Sequence, residues 1–243
     1  TSKSVRPNRP FQILIVVLTL ITVSFAAVFL LIEKKKSEVE KPAEEIAAGW
    51  LQFKMGEYKQ AARFFQKVLD GVPENSEARI QALFGLGYIQ WLKQTPYGEK
   101  DVATKLFNEI IVKSPDSEYA AWSKLALARM KHMVATGETP DYPTVRKMYQ
   151  EIYEQYPKKT AGHEAFVCMI GIYLASFTKE DAELAKEKLD EFIKVNPNSP
   201  FISSAWGLYA CACETLGLKR EMLDAKLKEL ENRLRFLVRL SKH

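Results

Sequence analysis

At 243 residues, with 47% hydrophobic and 27% charged residues, the chain has an ordinary globular balance and room for one or two domains. Its formal charge of +5 is concentrated at the ends: the first ten residues carry +3 and the last 25 carry +4, leaving −2 over Glu33–Leu218. A main domain without a basic stripe excludes a nucleic-acid-binding face, because neutralising phosphates requires one.

In chain order, residues 1–10 form a short basic tail bearing Lys3, Arg6 and Arg9. Residues 11–32 follow without a single charge, and only Gln12, Thr19, Thr22 and Ser24 interrupt them. As a helix at about 1.5 Å per residue the stretch reaches roughly 33 Å, enough for a bilayer core of about 30 Å. A cleaved secretory signal needs an apolar run of only about 7 to 15 residues, so a single membrane-spanning anchor is expected. Lys34, Lys35, Lys36 and Lys41 balance the bases on the other side, and the positive-inside bias counts both sets. A ten-residue tail with three bases resists translocation, whereas a long folded domain can be exported regardless of flanking charge. The N-terminus is therefore placed in the cytoplasm and the main domain outside it; the reverse topology leaves that domain in the cytosol. Residues 33–42, EKKKSEVEKP, read as a charged linker.

From residue 43 to 218 one spacing recurs. Ala61, Phe65 and Pro73 are answered by Ala103, Phe107 and Pro115, by Val145, Tyr149 and Pro157, and by Ala185, Leu189 and Pro197. The prolines stand 42, 42 and 40 residues apart, a period that belongs to stacked helical repeats. Gly49, Gly56, Tyr58 and Leu69 complete the first unit; Trp122, Leu125 and Ala126 mark the third, and Trp206, Tyr209, Ala210 and Gly217 the fifth. On these residues the chain resembles the tetratricopeptide repeat family. The resemblance implies an all-α fold: a right-handed superhelical solenoid of about five helix pairs after the transmembrane helix, closed by a capping helix. Small residues would let paired helices approach, aromatics would fill the gaps, and proline would stop the second helix. The units run longer than the family's usual 34 residues. Extended turns account for the difference, at Lys93–Asp101 in the second unit and Val134–Pro143 in the third, and both are expected on one edge.

In the family the first helix of each unit lines the concave face. Carried onto this sequence, the resemblance puts Ile46, Trp50, Phe53, Arg79, Leu86, Ile89, Leu127, Met130 and Ile172 there, with Ala82, Ser123 and Cys168 among them. Members that grip acidic chaperone tails use Lys and Asn where this chain has Ile46 and Trp50. An apolar groove of this kind fits an amphipathic partner helix, unless the chain fills it with its own segment.

Residues 219–243 form a basic amphipathic helix. Leu223, Leu227, Leu230, Leu234 and Leu237 recur at steps of 4, 3, 4 and 3, an apolar seam expected to cap the last repeat. Its end, with Arg233, Arg235, Phe236 and Arg239, is expected to meet a second protein or an anionic membrane surface.

No chemistry is legible. Gly85 and Gly87 lie inside a repeat helix rather than in a nucleotide loop. His132, His163 and His243 are scattered, and neither a metal-ligand nor a nucleophile constellation is present, so no metal, cofactor or small-molecule substrate is expected. Cys211 and Cys213 point to different sides of a helix, and with Cys168 they read as free thiols. The expected function is non-enzymatic: a membrane-anchored scaffold, resembling bacterial inner-membrane repeat proteins with periplasmic repeats, that binds other protein subunits and the bilayer as an assembly or structural subunit of a membrane complex. A membrane-anchored receptor or chaperone for transient client helices is the alternative.

Overall fold

The four prolines of the repeat each stand two residues beyond the end of a helix, as a residue without an N–H that clashes with the preceding turn requires. The computed structural model describes residues 41–92, 99–134 and 138–240. The expected span Phe11–Ile32, the basic tail and most of the linker lie outside the described residues. Among the described residues no helix is long and apolar enough to cross a membrane.

Ten helices follow one another among the described residues: α1 (41–54), α2 (Tyr58–Gly71), α3 (Glu77–Leu92), α4 (Lys100–Lys113), α5 (Glu118–His132), α6 (Tyr142–Gln155), α7 (Thr160–Leu174), α8 (Lys179–Val195), α9 (Ile202–Leu216) and α10 (Lys219–Leu240). The second extended turn ends before Tyr142, since Tyr142 and Pro143 open α6, and the first ends before Lys100. Parts of both turns lie outside the described residues. Local chemistry sets several boundaries. Ser117, Asp141 and Thr178 cap α5, α6 and α8 by accepting from the backbone N–H three residues on, at 3.0, 3.2 and 3.2 Å. Gly217 ends α9 at φ 76°, with Leu218 N–H donating to the Cys213 carbonyl and Gly217 N–H to that of Glu214.

The described residues divide into two compact units at Ala82–Leu83, within α3. In the first, Ala61, Phe65 and Val68 bury one stripe of α2. Phe65 lies so close to Gly49 of α1 that a Cβ there would come within 2.8 Å of its ring. In the second unit the arrangement repeats, with Phe107 of α4 against Gly87 of α3 at the same 2.8 Å. Each helix from α4 onward packs on its successor, and the first helices of adjacent pairs also meet, α5 on α7 and α7 on α9. The recurring residues Ala103, Phe107, Val145, Tyr149, Ala185 and Leu189 are all buried. Full burial of Phe107, Val145 and Leu189 stabilises by about 1.5 to 3 kcal/mol each.

Helix α7 is buried on most of its circumference, including Ala161, Ala165, Phe166, Met169 and Ile170. Phe166 stacks on Phe192 of α8 with centroids 4.3 Å apart and planes 8° from parallel. Gly162 is required by backbone contact, because a Cβ would stand 2.0 Å from the Tyr156 carbonyl oxygen.

Candidate functional site

Of the residues expected on the first-helix face, Ile46 and Ile89 are 6% and 1% exposed and belong to the packing instead. Successive residues on a helix are about 100° apart, so a signature aligned one position off exchanges a surface row for a buried one. Trp50 and Phe53 are half-buried in a ring cluster of the first unit, Trp50 lying edge-on to Phe53 at 5.5 Å and to Phe65 at 5.2 Å. Arg79 donates from Nη1 to the Leu69 carbonyl at 3.1 Å, placing its charge at the C-terminal end of α2, where the helix dipole favours it. In the second unit Leu86, Leu127 and Met130 are half-buried on α3 and α5. Ile172, 8% exposed, helps line a cleft of about 260 Å³ with Tyr142, Pro143, Arg146 and Asp181.

The second unit also holds a polar cluster that the apolar reading missed. Arg129 of α5 donates from Nη2 to Glu164 Oε1 of α7, and the pair is mostly shielded from water. Burial alone would lower the Arg129 pKa, but the neighbouring Glu164 carboxylate, with Tyr88 behind it, raises it. Burial pushes the Cys168 thiol and the Tyr149 hydroxyl beside this pair upward, the Arg129 charge pulling the other way. A thiol held up in this way is a poor source of thiolate. Nearby, His132 Nδ1 lies 3.1 Å from Tyr149 Oη. The available signal was an opposite charge at Arg129 and Glu164, 35 residues apart on the first helices of consecutive pairs.

His163 joins two inter-helix turns. Its Nε2 donates to the Pro157 carbonyl at 2.9 Å, and its Nδ1 lies 3.0 Å from the Ser199 hydroxyl. This role is structural. Among the described residues no group of three His, Cys, Asp or Glu is placed to hold a metal ion. Cys211 is exposed and Cys213 buried, on opposite sides of α9, and both are free thiols, as is Cys168. Phe177, in the turn between α7 and α8, is 82% exposed at φ 55°, an aromatic that sequence reading did not single out.

The largest departure concerns α10. The expected capping seam is not buried on α9: Leu223, Leu227, Leu230, Leu234 and Leu237 are 55 to 62% exposed. The inner face is made instead by Met222, Ala225, Glu229 and Asn232. Ala225 is buried in the core, and Ser203 donates to the Glu229 carbonyl at 3.1 Å. The Glu229 carboxylate would meet a Cβ on Gly207 at 3.2 Å, the place that Phe65 and Phe107 take against Gly49 and Gly87. Helix α10 is therefore the second helix of a fifth pair, with Ala225 as its small residue and Glu229 in the bulky position. Of the tail residues, Arg233, Arg235 and Phe236 line a cleft of about 350 Å³ with Pro197, Ser199 and Ile202. The Arg239 side chain lies outside those described.

Residues 47–75 match the family model described as Tetratricopeptide repeat. This stretch is a tetratricopeptide repeat. Among solved structures it is similar to the crystal structure of MamA protein, with 19% identity over 79% of this chain and 91% of that one and a TM-score of 0.49. It is also similar to MamA of AMB-1, with 16% identity over 81% of this chain and 92% of the other and a TM-score of 0.44. Neither likeness bears on what this chain does. No curated protein sequence matches it. Within the matched repeat Gly49, Ala61 and Phe65 make the close helix approach, while Trp50 is spent on its ring partners.

Proposed function

We propose that this tetratricopeptide-repeat protein is a non-enzymatic scaffold for protein–protein interaction, held in a bacterial inner membrane by residues 11–32, with its repeats on the periplasmic side. In that setting it serves as an assembly or structural subunit of a membrane complex. The observation that carries the binding role is the division of labour in the second unit. Buried Phe107, Tyr149 and Leu189 fix the helix pairs, and Leu86, Leu127 and Met130 stay half-open on the first helices. A rigid apolar surface of this kind suits an amphipathic partner helix. The anchor rests on the uncharged stretch Phe11–Ile32, and the orientation on the short basic tail before it.

Purification of the tagged full-length protein in mild detergent, followed by a native gel and mass spectrometry, tests this reading. A discrete stoichiometric complex is expected. A lone chain would overturn the subunit role, and a spread of substoichiometric proteins would replace it with a receptor for transient clients.

A further inference from the structure

We propose that α10 joins two copies of this chain in a parallel two-stranded coiled coil. Leu227 and Leu234 fall at the a positions of a heptad, and Leu223, Leu230 and Leu237 at the d positions. All five are exposed, because Ala225 and Asn232 at the opposite f positions take the face toward α9. The leucines repeat every 3.5 residues on average, which is the period of a seam that another helix follows.

The flanking charges name the partner and its direction. Lys219, Lys226 and Arg233 occupy the g positions, and Asp224 and Glu231 occupy e. In a parallel pair each g residue faces the e residue five positions on in the other helix, so Lys219 meets Asp224 and Lys226 meets Glu231, twice over by symmetry. In an antiparallel pair bases face bases and acids face acids. A second copy thus supplies the complementary charge pattern only when the two helices run the same way. An anionic membrane would bring Asp224 and Glu231, on the edge of the same seam, against lipid phosphate. The seam is short, but α10 is already held on α9, so association does not have to order it first.

The test uses the full-length chain in mild detergent with the exposed Cys211 replaced, Cys211→Ser. Leu223→Cys, Leu230→Cys and Leu237→Cys, introduced one at a time and oxidised, are each expected to give a reducible dimer, and Arg235→Cys at an outer position is not. In sedimentation, Leu230→Glu is expected to weaken self-association at least about tenfold with unchanged helicity. Lys226→Glu also weakens it, and adding Glu231→Lys restores it. Cross-linking at Leu230 alone would mean antiparallel packing and would overturn the proposal. So would a chain monomeric at every concentration, a dimer indifferent to Leu230→Glu, or a monomer that binds phosphatidylglycerol vesicles through these leucines.

Discussion

Helices α8 and α10 carry apolar rows of the same helical spacing and use them in opposite ways. In α8, Ala182, Ala185, Leu189 and Phe192 are buried; in α10, five leucines at comparable steps face outward. The difference lies in the small residues. Alanine lets helix backbones approach closely, and the aromatic or other bulky residue four positions on fills the space so formed. In α10 that place belongs to Ala225, so the leucine row is turned away. In these two helices small residues mark the face that packs, and the row of large ones without them is left for something else.

The sharpest way to break this contrast is to truncate one residue from each row. Phe192→Ala should cost about 4 kcal/mol in urea unfolding, because it removes a fully packed ring stacked on Phe166. Leu234→Ala should change stability by less than about 0.5 kcal/mol at concentrations where the chain is monomeric. A small residue that permits backbone contact is tested by Gly162→Ala, expected to cost about 3 kcal/mol through the clash with the Tyr156 carbonyl. Ala225→Leu overfills the α9–α10 contact and should cost about 2 kcal/mol, measured as a lower thermal midpoint, even though it makes α10 more apolar. An unchanged or raised midpoint would place the leucine face, not Ala225, on α9.

Two smaller effects sharpen the account of the packed side. Ser117→Ala removes the cap of α5 and should cost about 1 kcal/mol. Burial holds the His132 pKa below its usual 6.5. The unfolded chain therefore binds that proton more readily, so this contribution is intact above pH 6.5 and is lost as pH falls below it until the folded ring also titrates. Unfolding midpoints followed downward from pH 7 should show this loss, and His132→Gln should flatten it.

Much of the fold was legible because the repeat is written in residue size. Alanine or valine, an aromatic or leucine, and proline recur at fixed offsets, and the structure buries the first two and ends a helix before the third. The same ruler reached α10: 40 residues beyond Ala185 and Leu189 stand Ala225 and Glu229. No proline closes that unit and its bulky position is acidic, so the leucines, which have the stronger periodicity, stood out instead. Surface positions were harder to read. One step along a helix separates buried Ile89 from half-buried Tyr88, and hydrophobicity alone assigns neither to a groove. The Arg129–Glu164 contact escaped because its partners are distant in sequence and each alone looks like a solvated charge.

The binding role itself is tested most directly by site-specific photo-crosslinking in cells producing the full-length protein, with the photoreactive residue placed at Leu86, Leu127 or Val112. Val112 is exposed on α4, a second helix, and serves as the comparison. Discrete protein adducts at Leu86 and Leu127, with none at Val112, are the predicted result. Equal labelling at all three positions, or none at any, would contradict a scaffold that binds through its first helices.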